Sequence, residues 1–310
     1  MRVKASPCKR ELSINRRFRD MLRCLIVFVL TVSASAPSLA ATQAQERPIV
    51  YSVPGMERVQ VRKNVAYKKA DSVDLKMDVY SPPNLKRRSR LPAVIFLSGG
   101  VDLRLETKPK DWPAYVSWGR LVAASGMIGV TFTYRLGFPR RQYEEGASDL
   151  MDLIAHLRSN AESLNIDGDR LCLIAFSGGG PMLSVPLRDR PDYIRCIIGL
   201  YTFMDTHHVD LAQAETSQQV IDAFSPVNHL VNSSRKAPPM LIARAGRDQI
   251  QAVTQSIDNF IKVAIEQNLL LDFVNHPDGE HGFDTRNDTA RTREIIARTI
   301  AFMKAHLQVD

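Results

Sequence analysis

Residues 171–180 read LCLIAFSGGG, an apolar run of six residues that ends in a serine and three glycines. The run is short, apolar and bounded by charged residues on one side and glycines on the other, which is typical of a buried parallel strand. A sharp turn from strand to helix needs small neighbours, because close backbone approach costs least at glycine. The pattern Ala175-x-Ser177-x-Gly179 differs from the nucleophile elbow G-x-S-x-G only at its first position. Alone, such a serine indicates no more than a turn, so its meaning depends on the rest of the chain.

The order of the predicted elements gives the fold class. Residues 59–67 and 72–80 predict an antiparallel hairpin, and the second segment alternates apolar and polar residues as a half-exposed strand does. Further strands are predicted at residues 92–97, 127–132, 171–176, 193–200, 240–245 and 270–274, and helices at residues 115–124, 144–160, 217–224, 250–268 and 291–307. This alternation predicts an α/β fold with a mostly parallel central sheet, N-terminal antiparallel strands and helices on both faces.

Four polar or glycine-rich segments each follow directly after a predicted strand. They are residues 98–100, Ser177, Asp248 and His281. Ligands of parallel sheets bind at the carboxyl ends of the strands, so we expect the four segments to meet at one edge. A serine hydroxyl needs a base within hydrogen-bonding reach, and that base needs a third group to orient it. We therefore predict Ser177 as the nucleophile, His281 as the base and Asp248 as the orienting acid.

Other residues compete for two of these roles. His276 is the alternative base, but it lies nearer its strand and directly before a proline. Asp278 and Asp284 are the alternative acids, whereas Asp248 follows a glycine at the end of a strand. His281 and Asp248 are therefore preferred.

A serine that attacks an acyl group also needs an oxyanion hole. The tetrahedral intermediate carries a negative oxygen that preorganised N–H donors must stabilise. The N–H of Gly178, next to the nucleophile, is the natural first donor. Gly99 or Gly100, after the strand at residues 92–97, is expected to provide the second.

The net charge of +8 is concentrated at the N-terminus. Residues 1–40 hold eight Lys or Arg and two acidic residues, which leaves 33 basic and 31 acidic residues in the remainder of the chain. The charge therefore gives no indication of a nucleic-acid partner.

The same leader has the three parts of a signal peptide. A basic region is followed by an apolar run at residues 25–32 and by small residues that end at Ala40. The apolar run is far below the roughly 20 residues of a spanning helix, although a retained N-terminal anchor is the alternative. We predict a signal peptide at residues 1–40, with Met21 as the alternative start, export to the periplasm or the medium, and no stable membrane insertion after cleavage.

Two cysteines lie beyond the leader. Cys172 and Cys196 both occupy apolar, strand-like runs, so we expect free buried thiols. An exported location also permits a disulfide, but a disulfide requires close Cβ atoms, which sequence does not reveal. No Cys/His spacing typical of a zinc site occurs in the sequence.

The chain resembles an α/β-hydrolase of the esterase/lipase and dienelactone-hydrolase-like superfamily over residues 57–307. The segments that carry the resemblance are LKMDVYSP at 75–82, SGG at 98–100, YRL at 134–136, AFSGG at 175–179, AGRD at 245–248 and EHGF at 280–283. The order Ser, Asp, His is also the one found in these enzymes. The resemblance implies a single hydrolase domain at residues 57–310, after a loose segment at residues 41–56. It further implies hydrolysis of a small-molecule or polysaccharide-linked carboxylic ester through an acyl-enzyme, with no cofactor and no metal.

The sequence departs from its relatives in three places. Ser98 stands where similar esterases often have a histidine, which leaves the anchoring of the oxyanion loop open. Ala175 replaces the first glycine of the elbow. Pro186 would break a helix, so we expect the helix behind the nucleophile to be short or kinked.

Two further groups of residues have a structural and a functional interpretation. Residues 201–237 fall where this fold often carries its lid, and we expect the adjacent His207 and His208 there to be exposed to solvent rather than to bind a metal. The aromatic residues at 112, 115 and 118 are expected to pack a helix, with a substrate pocket as the alternative.

Two rival functions remain at this stage. A serine peptidase of the prolyl-oligopeptidase type would share the triad, but it usually carries an additional propeller domain that this sequence does not show. A non-catalytic binding protein on the same fold would usually have lost a member of the triad.

Overall fold

The computed structural model describes residues 47–70, 73–86, 89–99, 101–102, 108–138, 142–208, 216–231 and 236–309. The predicted signal peptide and Gly100 lie outside the described residues.

A central sheet of eight strands runs through the described part of the chain. The described residues form ten strands, eight of them in this sheet: β1 (Gln60–Ala70), β2 (Val73–Ser81), β3 (Leu91–Leu97), β4 (Val101–Asp102), β5 (Ile128–Phe132), β6 (Gly137–Phe138), β7 (Ile166–Phe176), β8 (Ile194–Leu200), β9 (Met240–Ala245) and β10 (Leu271–His276). Their order in the sheet is β1-β2-β5-β3-β7-β8-β9-β10, while β4 and β6 form a separate parallel pair that the sequence did not predict. Strand β2 is antiparallel to both of its neighbours and the remaining pairs are parallel. The predicted fold class is confirmed.

Helices cover both faces of the sheet, as predicted. They are α1 (Pro113–Ala124), α2 (Tyr143–Ser159), α3 (Ala161–Leu164), α4 (Ser184–Asp189), α5 (Gln218–Ala223), α6 (Gln251–Glu266), α7 (Phe283–Arg286) and α8 (Ala290–Leu307). Side chains of β3 alternate between two apolar layers, because successive residues of a strand point to opposite faces. Ile95 belongs to the layer with α2 and α6, and Phe96 to the layer with α1 and α8. No helix in the described ranges is both long and apolar enough to cross a membrane.

Strand β2 is more buried than its alternating sequence predicts. Met77, Asp78, Val79 and Tyr80 all have 2% or less of their surface exposed. The ring of Tyr80 lies against Gly119 of α1, where no side chain would fit, and Asp78 pairs with the buried Lys110 (Oδ1–Nζ 3.2 Å). The prediction of a half-exposed strand holds for residues 73–76 and is wrong for residues 77–80, where α1 and the turn before it cover the polar face of β2.

The two cysteines form a disulfide, contrary to the expectation of free thiols. Cys172 of β7 and Cys196 of β8 are direct partners in the parallel register of these strands, and their Cα atoms are 4.8 Å apart. This Cα separation lies in the range that a disulfide requires. The pairing depends on which strands are neighbours and on their register, neither of which is encoded locally.

Candidate active site

The turn after β7 holds Ser177 in an unusual backbone conformation. Its φ is +50°, in the left-handed region that residues with a side chain rarely adopt. The carbonyl oxygen of Ser177 accepts hydrogen bonds from the Thr202 hydroxyl (2.6 Å) and the Phe203 N–H (3.0 Å). Such a conformation persists only where the surroundings enforce it, and here the segment after β8 supplies the restraint.

The glycines after Ser177 are required by close approach of backbone. A Cβ atom on Gly179 would collide with the carbonyl oxygen of Leu97 at the end of β3, and one on Gly180 with that of Phe203 after β8. The glycine run therefore lets the turn fit between the ends of two neighbouring strands. Beyond it the chain continues as a 3₁₀ helix, Ser177–Leu183, and then as the six-residue α4, which confirms the prediction of a short helix. Ala175, in place of the first elbow glycine, is fully buried in the sheet.

The structure brings Ser177, His281 and Asp248 together. His281 Nε2 lies 2.8 Å from Ser177 Oγ, and His281 Nδ1 lies 2.7 Å from Asp248 Oδ2. The side chains of His281 and Asp248 are inaccessible to solvent. The other carboxylate oxygen of Asp248 accepts the N–H of Ile250 (2.8 Å), which fixes the carboxylate plane. This arrangement can pass a proton from the hydroxyl to the imidazole while the carboxylate holds the opposite ring nitrogen.

The loops after β9 and β10 share backbone hydrogen bonds that hold Asp248 and His281 in register. The N–H of Gly246 donates to the carbonyl of His276 (2.8 Å), and the N–H of Arg247 donates to that of Gly279 (2.8 Å). A Cβ atom on Gly246 would collide with the Pro277 carbonyl, so the glycine permits this contact.

The competing His276 and Asp278 are directed elsewhere. His276 Nε2 lies 2.9 Å from Thr292 Oγ1, and burial together with the charge of Arg291 lowers the pKa of this imidazole. Asp278 forms an exposed ion pair with Arg247 (2.6 Å). In the described chain, neither residue forms a hydrogen bond with Ser177 or His281.

Asp284, the third competitor, has partners that the sequence did not reveal. Its carboxylate is buried and accepts hydrogen bonds from the Tyr201 hydroxyl (2.6 Å) and the Trp118 indole N–H (2.8 Å). Burial raises the pKa of Asp284, and these two hydrogen bonds oppose the rise. Tyr201 follows β8 directly, so the strand-end rule that selected Ser177 could also have selected this tyrosine.

The candidate oxyanion loop lies against Ser177. The ideal Cβ position of Gly99 is 3.2 Å from the Cβ of Ser177 and 3.5 Å from the backbone nitrogen of Gly178. The N–H of Gly99 donates to the Tyr115 hydroxyl (3.2 Å), and the Tyr134 hydroxyl donates to the carbonyl of Ser98 (2.7 Å). Two tyrosines thus provide the loop anchoring that the absence of a histidine at Ser98 left open. The Gly99 N–H already has an acceptor here.

The aromatic residues of α1 and its N-cap pack the helix, as predicted. Trp112, Tyr115 and Trp118 each have 5% or less of their surface exposed. The rings of Tyr115 and Trp118 lie 5.4 and 5.8 Å from that of Phe176, the residue before the nucleophile.

His207 is exposed, as predicted, yet both of its ring nitrogens are hydrogen-bonded. Nδ1 lies 2.6 Å from Asp205 Oδ1 and Nε2 lies 2.7 Å from Asp222 Oδ1. Partial burial disfavours the charged ring, but these two carboxylates outweigh it and raise the pKa of His207. In the described part of the chain, no group of three or more His, Cys, Asp or Glu residues is placed to hold a metal ion.

Comparisons with known proteins agree on the fold. The native structure of esterase Est2 from the planctomycete Thermogutta terrifontis is 21% identical to the chain, with a TM-score of 0.63 over 81% of this chain and 94% of that one. Est2 bound to propionate gives 22% identity and a TM-score of 0.64, over 81% of this chain and 96% of that one. A putative dipeptidyl aminopeptidase IV from Bacteroides ovatus gives 17% identity and a TM-score of 0.62, over 79% of this chain but only 35% of that one.

Family models assign the chain to a protein family. No curated protein sequence matches it significantly. The BD-FAE model matches residues 77–186, and the model of the prolyl oligopeptidase family matches residues 134–310, more than half of the chain. The protein therefore belongs to the prolyl oligopeptidase family, within the α/β-hydrolase superfamily.

Proposed function

We propose that this protein is a serine hydrolase that cleaves carboxylic esters. Ser177 is the nucleophile, His281 the general base and Asp248 the orienting acid, and we call these three residues the proposed triad. The observation that carries the proposal is the hydrogen-bonded chain from Ser177 Oγ through His281 to Asp248, with distances of 2.8 and 2.7 Å. The enforced turn at Ser177 supports the same role, because it presents the hydroxyl at the carboxyl edge of the sheet.

The geometry supports a two-step acyl transfer. Ser177 Oγ attacks the ester carbonyl carbon while His281 Nε2 accepts the hydroxyl proton, and Asp248 stabilises the resulting imidazolium at Nδ1. The tetrahedral intermediate collapses, and the departing alkoxide takes the proton from His281 to leave as the alcohol. Water then attacks the acyl-enzyme with His281 again as base, which releases the carboxylic acid and restores Ser177.

The oxyanion of each tetrahedral intermediate requires two N–H donors. We assign the first to Gly178, next to the nucleophile. The Gly99 N–H already donates to the Tyr115 hydroxyl, so we assign the second oxyanion donor to the N–H of Gly100. Loss of one such donor typically costs about 10²–10³ in rate.

Ester hydrolysis is preferred over peptide hydrolysis on two observations. The BD-FAE model matches residues 77–186, and the matched structures of Est2 are covered almost end to end, one of them with propionate bound. The dipeptidyl aminopeptidase match spans only 35% of that chain. We therefore propose esters of short acyl chains as substrates. Membership of the prolyl oligopeptidase family favours serine peptidase activity as the second candidate.

Export is part of the proposal. The predicted signal peptide, residues 1–40, would direct the hydrolase domain at residues 57–310 to the periplasm or the medium. The disulfide between Cys172 and Cys196 supports this location, because disulfides persist in oxidising compartments.

A paired substrate panel tests the proposal. We expect the purified protein to hydrolyse p-nitrophenyl acetate, propionate and butyrate but not aminoacyl anilides, and a fluorophosphonate probe to label Ser177. Ser177→Ala should lower kcat by about 10⁴-fold or more, because the nucleophile and its base act as a unit. Hydrolysis of anilides alone would establish the peptidase instead. Inactivity on both panels, together with absent labelling, would favour a binding protein on the hydrolase fold.

A further inference from the structure

A second buried carboxylate lies beside the proposed triad and has no part in the mechanism above. Asp284 follows His281 by three residues and has 1% of its surface exposed. Its two oxygens accept hydrogen bonds from the Tyr201 hydroxyl (2.6 Å) and the Trp118 indole N–H (2.8 Å). Among the residues that the structure describes, no Lys or Arg forms an ion pair with Asp284. A buried carboxylate without a cation is costly and calls for a reason.

Tyr201 connects this carboxylate to His281. Its ring lies edge-on to the imidazole, with the two centroids 5.1 Å apart. Tyr201 has a φ of +38°, a rare conformation for a bulky residue, and its N–H donates to the Ala243 carbonyl (2.9 Å). The phenol is therefore held at both ends, by the backbone after β8 and by Asp284 at the hydroxyl.

In the hydrogen bond between Tyr201 and Asp284, the Tyr201 hydroxyl is the donor. Burial, together with the charge of Asp284, raises the pKa of Tyr201 well above that of a free phenol, so the hydroxyl keeps its proton and donates it. One donor on each carboxylate oxygen satisfies the ionised form of Asp284. The Asp284 carboxyl group therefore lies one aromatic ring away from the imidazole that accepts the proton during acyl transfer.

We infer that Asp284 and Tyr201 are positioning residues for His281. Asp284 fixes the Tyr201 phenol through its hydroxyl, and the Tyr201 ring fixes the imidazole between Ser177 and Asp248. The inference rests on the proposed function, because it assigns His281 the role of base.

The other groups that face His281 stay unchanged in the test. Asp248 and Ser177 occupy the two ring nitrogens. The Arg286 guanidinium donates to the His281 carbonyl (3.3 Å) and is paired with Glu280 (2.8 Å), so its charge is partly neutralised. A change at Asp284 therefore alters one hydrogen-bonding side chain in this environment.

Tyr201→Phe and Asp284→Asn are the test variants, because each keeps the shape of the side chain. We expect each to lower kcat by about 10- to 100-fold with KM within about twofold, since a displaced base slows the chemical step and leaves ground-state binding intact. The double variant should lose no more than the worse single variant, because both act through one hydrogen bond.

Tyr67→Phe is the matched control. It also removes a tyrosine hydroxyl that donates over 2.7 Å, to the carbonyl of Thr133, and it lies in β1, which β2, β5 and β3 separate from the strand that leads to Ser177. Its kcat should stay within about twofold of the wild type. Active-site titration with the fluorophosphonate corrects every rate for the folded fraction, and if Asp284→Asn does not fold, Tyr201→Phe carries the same expectation for kcat.

The inference and the proposed function fail in different ways. An active wild type whose Tyr201→Phe and Asp284→Asn variants keep wild-type kcat would overturn the inference alone. An inactive wild type would refute the proposed function. In that case the Nδ1 proton resonance of His281, followed by NMR without substrate, still tests the positional claim, because a displaced imidazole should shift this resonance in Tyr201→Phe and Asp284→Asn, and an unchanged resonance contradicts the claim.

Discussion

Two histidines in this molecule have nearly the same hydrogen-bonding geometry and very different surroundings. His281 lies between Asp248 at 2.7 Å and Ser177 at 2.8 Å, and no part of its side chain is accessible. His207 lies between Asp205 at 2.6 Å and Asp222 at 2.7 Å, and 38% of its side chain is accessible. We call the second arrangement the His207 bridge.

The second partner decides what each histidine can do. A carboxylate on each side favours the imidazolium and gives it no proton to take, so the His207 bridge is an ion-pair network. A carboxylate on one side and a hydroxyl on the other leaves His281 able to accept a proton from the hydroxyl. A short distance between a histidine and an aspartate is therefore no sign of catalysis by itself.

Removing one carboxylate charge from each arrangement gives the largest contrast. Asp248→Asn should lower kcat for p-nitrophenyl esters by about 10³–10⁴-fold, because the amide no longer selects the imidazole tautomer that accepts the serine proton. Asp222→Asn should leave kcat within about twofold, because its partner is exposed and takes no part in the proposed chemistry. Steady-state kinetics on both variants, corrected by fluorophosphonate titration, measures the contrast. Comparable losses would mean that the two histidines are not functionally distinct.

The sequence predicts the arrangement around His281 but not the His207 bridge, because the residues around His281 follow predicted strands. Ser177, Asp248 and His281 each follow a predicted strand, and parallel strands present their carboxyl ends on one edge. The pairing of His207 with Asp222 spans fifteen residues, and the contact of Trp118 with Asp284 spans 166. Such contacts depend on tertiary packing, so no local pattern predicts them.

The same distinction explains which parts of the fold were predictable. Strand and helix positions follow from apolar periodicity, and almost every predicted element is present. The burial of Asp78 depends on Lys110, 32 residues away, and the disulfide depends on the register of β7 and β8. A two-residue pair such as β4 and β6 is too short to leave a periodic signal.

The disulfide is a further difference between the arrangement around His281 and the His207 bridge. It joins the strands that lead to Ser177 and Tyr201, and it does not involve the His207 bridge. It closes a sequence separation of 24 residues, for which the loss of unfolded-state entropy amounts to about 3 kcal/mol. The Cys172→Ala/Cys196→Ala variant should therefore unfold at a Tm lower by about 6–12 °C.

Thermal unfolding followed by circular dichroism measures this change, with the wild type in reductant for comparison. The residual esterase activity of the variant at 25 °C should stay close to that of the wild type, because neither sulfur contacts the proposed triad. A Tm within about 1 °C of the wild type would show that the covalent link does not stabilise the fold.

The smallest expected effect concerns the charge of His207. Asp205 and Asp222 raise the pKa of His207 above its unfolded value of about 6.5. A raised folded pKa means that the bridge contributes fully below about pH 6.5 and is lost as the pH rises through the folded value. His207→Gln should therefore lower Tm by about 1–2 °C at pH 6 and leave it unchanged at pH 9, the small size following from the exposure of the pair. Paired unfolding curves at the two pH values test this difference, and kcat should not follow it. A Tm difference that is equal at both pH values would show that the His207 bridge acts through packing and not through charge.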